Sequence, residues 1–119
     1  MSVDDLKNRF KKFAISVAKL IQSLPSNAIN SAYCNQLIRS SSSSAANYRA
    51  ACRGKSPADF INKLKIVEEE LDESIFFLEM LEEFNSGKTT EIQTLVKEAN
   101  ELLAITVKSI KTTRANNQK

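Results

Sequence analysis

The chain has 119 residues, of which 42% are hydrophobic and 26% are charged; its formal net charge is +3, and it contains no histidine. Without histidine the chain lacks the usual general base of hydrolases, the commonest zinc ligand and the base of Ser-His and Cys-His pairs. We therefore expect a protein that is not an enzyme, with no catalytic residues, no metal site and no cofactor.

The composition and the spacing of apolar residues indicate a protein made mostly of helices. Two glycines and two prolines leave few turns, which excludes a β fold of many strands. A chain of this length buries roughly two-thirds of its surface, enough for one core. Four segments repeat apolar residues with the period of a helix, which predicts a single all-α domain over residues 1–119, folded as an antiparallel up-down-up-down four-helix bundle. The predicted helices span about residues 4–24, 28–53, 57–84 and 89–112.

The first predicted helix starts after Ser2, a good N-cap with Asp5 three residues on, and ends at Pro25. Its apolar residues recur at helical spacing, and Lys19 interrupts the stretch that superficially imitates a signal peptide. No apolar run in the chain approaches the roughly 18 residues of a membrane-spanning helix. We expect a cytoplasmic protein that does not bind a membrane.

The second predicted helix contains five consecutive serines, Ser40 to Ser44, which in isolation are typical of a flexible linker. We favour a continuous helix, because the apolar period stays in phase across the serines and no Gly or Pro lies between residues 28 and 53. The serines and alanines make this helix slim, so that neighbouring helices can approach closely. Its predicted buried face consists of Ile29, Tyr33, Leu37, Ser40, Ser41, Ser44, Tyr48 and Ala51.

Three arginines of the second helix, Arg39, Arg49 and Arg53, lie within about 80° of one another at helical spacing, and Lys55 follows the helix. Arginines along one line could contact successive phosphates of a nucleic acid. They could equally pair with the acids of the third helix across a subunit boundary, or form a solvated face. Spacing alone does not separate these interpretations.

The third predicted helix carries more apolar surface than one bundle core needs. Ser56 and Pro57 begin it, as an N-cap and a first helical residue. Phe60 starts its core stripe, but a second apolar stripe projects about 200–260° away, where a monomer would present polar residues to water. This surplus predicts self-association. The predicted interface residues are Ile66, Phe77, Met80 and Phe84.

The fourth predicted helix follows Gly87-Lys88-Thr89, a tripeptide that resembles the end of a phosphate-binding loop. Glu82 stands where that loop needs glycine, so we expect no nucleotide site and no small-molecule substrate. The polar residues after Thr112 are expected to fray.

Charge is unevenly distributed along the chain. Residues 1–65 contain eleven Lys and Arg against three acids, and residues 66–119 contain six against eleven. The two halves, net +8 and net −5, could neutralise each other in the folded protein. They could also give a basic surface for nucleic acid, for which a total of +3 is weak support.

Several segments together resemble the bacterial four-helix-bundle family named for open reading frames in 23S rRNA intervening sequences. The matching segments are Gln36-Leu37-Ile38-Arg39-Ser40, Ser43 to Arg49, Lys55 to Ile66, Phe77-Leu78-Glu79-Met80-Leu81 and Glu98 to Ile105. The resemblance implies a bundle that assembles as a homopentameric barrel. A related branch, the accessory proteins of diversity-generating retroelements, binds a reverse transcriptase and nucleic acid through basic surface.

These observations predict a non-enzymatic, homo-oligomeric helical scaffold that binds RNA or a nucleic-acid-associated protein, such as a reverse-transcriptase-like protein. The alternative is a purely protein-binding assembly module in which the arginines form salt bridges at the subunit interface. The candidate phosphate contacts are Arg39, Arg49, Arg53, Lys55 and Lys63.

Overall fold

The protein consists of four long helices joined by short connections. A computed structural model describes residues 1–118, and a single turn of 3-10 helix, Ser86–Lys88, precedes the last long helix. The five consecutive serines lie inside the second helix, as the uninterrupted apolar period predicted. The helices are α1 (Val3–Ser23), α2 (Ala28–Ala51), α3 (Pro57–Phe84) and α4 (Thr89–Asn117).

The starts of the first three helices are fixed by side chains that satisfy free backbone N–H groups. Ser2 and Asp5 form a reciprocal capping box at α1, with both hydrogen bonds 3.1 Å long. The side-chain oxygen of Asn27 accepts from the backbone of Asn30 at α2. Ser56 caps α3 in the same way, and Pro57 follows it in the first turn.

The helices are arranged as the sequence predicted, in an up-down-up-down bundle. Each helix packs against the next along the chain, and α4 returns to α1. Within residues 1–118 the diagonal pairs, α1 with α3 and α2 with α4, make no close backbone contact. The bundle measures 52 × 21 × 20 Å. None of the described helices combines the length and the apolar character that a bilayer crossing requires.

The serines of α2 explain why α2 and α3 pack closely. Ser40, Ser41 and Ser44 are buried, and each hydroxyl donates to a carbonyl of its own helix. Ser40 also lies 2.8 Å from the hydroxyl of Ser74 on α3, so these polar groups are satisfied inside the core. Small side chains on α2 leave room for the large apolar side chains of the neighbouring helices. The core around them contains Phe10, Phe13, Leu37, Leu64, Leu71, Leu78, Leu81, Ile92 and Leu102.

Two local predictions are wrong. Ile29 was assigned to the buried face of α2, but 46% of its surface is exposed and Asn30 is buried instead. The predicted end of the fourth helix at about residue 112 is also wrong, because α4 continues to Asn117. Thr113 is partly buried there, and its hydroxyl donates to the carbonyl of Ser109 over 2.8 Å.

Asn30 is buried because it joins three helix ends. Its amide donates to the carbonyl of Pro25 and to the side chain of Asn85, over 2.9 and 3.0 Å, and it accepts from Asn85 over 2.8 Å. The Asn85 amide also donates to the carbonyl of Leu81, the last turn of α3. The Asn30–Asn85 pair therefore fixes the position of α2 along the bundle axis relative to α3.

We expect Asn30→Ala to destabilise the protein by about 2–3 kcal/mol, because the Asn85 amide and the Pro25 carbonyl lose partners in a partly buried site. Thermal denaturation measures the effect, with Asn35→Ala as the control, an exposed position on the same helix. Equal melting temperatures for the two variants would contradict a role for the asparagine pair.

Candidate nucleic-acid interface

The up-down topology brings the start of α1 and α3 and the end of α2 and α4 to one end of the bundle. Val3, Cys52, Pro57 and Thr113, one residue from each of these four regions, line a single opening of about 400 Å³. Side chains near this opening are therefore neighbours in space although they come from distant parts of the sequence.

This end of the bundle, which we call the basic end, holds most of the positive charge. Residues 1–12, 47–65 and 106–118 contain twelve Lys and Arg against three Asp, a net charge of +9. The remainder, residues 13–46 and 66–105, contains four Lys and Arg against eleven acids, a net charge of −7. Positive charge therefore gathers at one end of a bundle 52 Å long, whereas the acids lie in its middle and toward its other end.

A groove between α1 and α2 begins in the basic end and runs beyond it toward the middle of the bundle. Lys7 and Lys11 line it from α1, Arg49 lines it from α2 and Arg53 from the turn just after α2, around a volume of about 620 Å³. Alanine and serine side chains line much of the groove and leave its volume unfilled. Its remaining lining residues are Asn8, Ala14, Ile15, Ala18, Ile38, Ser42, Ala45 and Ala46.

The four cations of the groove have no carboxylate partner among residues 1–118. The ion pairs in that part of the chain are those of Arg9 with Glu98 and Glu101, and of Lys88 with Glu91. Arg9 binds Glu98 through its Nε, 3.0 Å from the carboxylate, and this hydrogen bond raises the pKa of the guanidinium. Arg9 thus ties α1 to α4, whereas the groove cations remain available for an external anion.

The candidate phosphate contacts predicted from the sequence lie in different places in the structure. Arg49 and Arg53 lie together in the groove, whereas Arg39 is exposed and does not line it. Lys55 lies in the exposed turn between α2 and α3, and Lys63 is exposed in the second turn of α3, so both belong to the basic end.

Three of the predicted interface residues, Phe77, Met80 and Phe84, lie in the second half of α3, away from the basic end and around a row of aromatic rings. Phe76 and Phe77 meet edge to face with centroids 5.3 Å apart. Tyr33 of α2 lies 6.2 Å from Phe77 and 6.3 Å from Phe84. Phe76 and Phe84 are 53% and 50% exposed, an unusual state for two phenylalanines of a small protein. We call these four residues together with Met80 the aromatic patch.

Burial differs among the predicted interface residues. Phe77 and Met80 are only partly exposed, and Ile66 is 37% exposed, about three turns before Phe76 on the same helix. Sequence reasoning missed Phe76, because its helical position falls outside the predicted stripe. It also assigned Tyr33 to the core, whereas the ring is half-buried at the edge of the patch.

A model of the 23S rRNA-intervening sequence protein family matches residues 5–108. The chain belongs to this family. A solved structure with the same fold is a protein of unknown function from the S23 ribosomal protein family of Bacteroides thetaiotaomicron. It is 26% identical, with a TM-score of 0.79 over 89% of this chain and 98% of that chain. No curated protein matches the chain significantly.

Membership of the 23S rRNA-intervening sequence protein family confirms the resemblance read from the sequence. The matched region contains the whole groove and the whole aromatic patch. The relation to accessory proteins of retroelements stays a prediction. Lys7 and Lys11 are the groove residues that sequence reasoning missed, because nothing in helical periodicity says which flank of α2 receives α1.

Proposed function

We propose that this member of the 23S rRNA-intervening sequence protein family is a non-enzymatic, homo-oligomeric scaffold that binds RNA at its basic end. The observation that carries the proposal is the groove in which Lys7, Lys11, Arg49 and Arg53 converge without carboxylate partners among residues 1–118. The surrounding net charge of +9 would attract a polyanion to this end and repel it from the other.

The spacing of the groove cations suits a phosphate backbone. Lys7 and Lys11 are one helical turn apart on α1 and rise about 6 Å along it, whereas Arg49 lies in the last turn of α2 and Arg53 two residues past its end. Guanidinium groups bind phosphate oxygens through two parallel hydrogen bonds, and ammonium groups bind them as point charges. Contacts of this kind neutralise phosphates without reading a base sequence.

The homo-oligomeric part of the proposal is supported by the aromatic patch. Two half-exposed phenylalanines lie there with Met80 and Tyr33 beside them. Monomeric soluble proteins rarely expose a contiguous apolar surface of this kind to water. A second copy of the chain would cover it. Five copies is the number that the family resemblance implies.

The test of RNA binding is a salt series with single-stranded RNA and the wild-type protein. Four phosphate contacts release about three counterions, so the affinity should fall roughly 50-fold between 50 and 200 mM salt. Absence of binding, or binding that salt does not weaken, would remove the RNA part of the proposal.

The alternative function is a protein-binding assembly module without nucleic-acid contact, which the aromatic patch also supports. The same experiment separates the two, because a pure assembly module would form an oligomer by light scattering and show no salt-dependent association with RNA.

A further inference from the structure

A second cavity lies beside the groove, at the opening in the basic end that Val3, Cys52, Pro57 and Thr113 line. We call it the end opening. Its volume of about 400 Å³ lies within the range of about 300–1,000 Å³ that is typical of pockets for small organic ligands. Phe60 also lines it and is only partly buried. The end opening therefore offers the volume and an aromatic wall for a flat organic group.

Polar groups also line the end opening. Tyr48 is only 6% exposed, and its ring stacks on Phe10 with centroids 4.7 Å apart, so its position is fixed. Burial raises the pKa of the Tyr48 hydroxyl, which therefore stays protonated near neutral pH and can donate a hydrogen bond. The Thr113 hydroxyl donates to the carbonyl of Ser109 and keeps lone pairs that can accept one. A donor and an acceptor beside an aromatic ring suit an unstacked nucleic-acid base.

The end opening and the groove adjoin along α2 and the turn after it. Tyr48 lines the end opening, and the next residue, Arg49, lines the groove. Cys52 and Arg53 repeat this arrangement one turn later. Consecutive Cα atoms are only about 3.8 Å apart, so the two cavities share a border. A strand whose phosphates lie on the groove cations therefore passes the mouth of the end opening.

The charge around the end opening also suits a nucleic acid. Lys55 lies in the turn that borders it, and Arg114 follows Thr113; both cations are exposed and have no ion-pair partner among residues 1–118. Asp4 and Asp59 are also nearby, in the first turns of α1 and α3, where a carboxylate complements the helix dipole. The basic end as a whole keeps its net charge of +9. A polyanion is therefore drawn toward the cavity.

We propose that the end opening captures one unstacked base of a single-stranded RNA whose phosphates lie on the groove cations. Phe60 contacts the face of the base, and Tyr48 contacts its edge. The inference rests on the proposed RNA binding and narrows the ligand to unpaired RNA, because a duplex keeps its bases stacked and a loop or a free strand can release one. The groove supplies the attraction that salt weakens, and the end opening supplies the contact that needs a base.

Phe60→Leu and Tyr48→Phe test the two contacts with the base. The first substitution removes the aromatic ring and keeps an apolar side chain, and it should lower the affinity for single-stranded RNA about tenfold. The second removes only a hydroxyl and should lower the affinity about fivefold. Neither changes a charge, so the slope of log affinity against log salt should stay as in the wild type.

Phe77→Leu is the matched control for Phe60→Leu. It makes the same substitution at another partly buried phenylalanine of α3, away from the basic end, and it should keep the wild-type affinity for RNA. Circular dichroism and thermal denaturation check that every variant keeps its fold.

Inorganic polyphosphate and duplex RNA are the further probes, because the first has no bases and the second has no free ones. Both should bind the wild type, Phe60→Leu and Tyr48→Phe with equal affinity, since their contacts are made by the groove cations alone.

The inference is overturned if either Phe60→Leu or Tyr48→Phe binds single-stranded RNA as tightly as the wild type, or if the two variants lose affinity for polyphosphate as much as for RNA. Salt-dependent RNA binding in those cases leaves the proposed function standing. A wild-type protein that binds no RNA removes both proposals, so the two failures are distinguishable.

Discussion

Replacing Lys11, Arg49 and Arg53 together with glutamine is expected to lower the affinity for single-stranded RNA about 100-fold at 0.1 M salt. Each lost phosphate contact removes about 0.7 from the slope of log affinity against log salt, so three contacts remove about two. All three side chains are exposed and line the groove, and glutamine keeps much of their apolar stem. The fold should therefore be retained.

A matched triple variant tests whether RNA binds at the groove or responds only to the net charge of the protein. The control replaces three lysines outside the basic end with glutamine, namely Lys19, Lys88 and Lys97, and so removes the same number of positive charges. This control should keep most of the affinity and most of the salt slope. If both triple variants lose affinity equally, RNA responds only to net charge and the groove has no special role.

The sequence specified the starts of the first three helices well, because each of them has a local cause. Ser56 and Pro57 start α3 through a cap and a fixed backbone angle, which depend on neighbouring residues alone. The serine segment of α2 was predictable as helix for a related reason, since an apolar period that continues in phase needs no tertiary information. Family membership, which rests on patterns spread over most of the chain, was predictable as well.

The candidate sites were predictable only in part, because they depend on how helices sit beside one another. The spacing of Arg39, Arg49 and Arg53 is a local property, but which of them line the groove is set by the position of α1. Lys7 and Lys11 join the groove only through the antiparallel pairing of α1 with α2. The end-to-end charge separation likewise needs the topology, since the basic end is assembled from three separate stretches of sequence.

The second large effect is expected from Phe76→Glu/Phe84→Glu, which should convert the oligomer to a monomer of 13.3 kDa. Both rings are about half exposed in the isolated chain, so the substitutions remove little from its core. In an interface each carboxylate would lose its hydration without a partner, which costs several kcal/mol. A loss of about 4 kcal/mol weakens association by roughly three orders of magnitude. Light scattering or analytical ultracentrifugation at micromolar concentration measures the change.

Ile15→Glu is the matched control for this variant. Ile15 is another exposed apolar residue, 43% accessible, but it lies in the groove between α1 and α2 and away from the aromatic patch. It should keep the wild-type mass. Phe77 is unsuitable as a target, because its ring is half-buried against Tyr33 and a charge there would disturb the packing of α2 on α3. If Phe76→Glu/Phe84→Glu keeps the oligomer while Ile15→Glu dissociates it, the groove and not the patch holds the subunits together, and the assignment of the two surfaces is reversed.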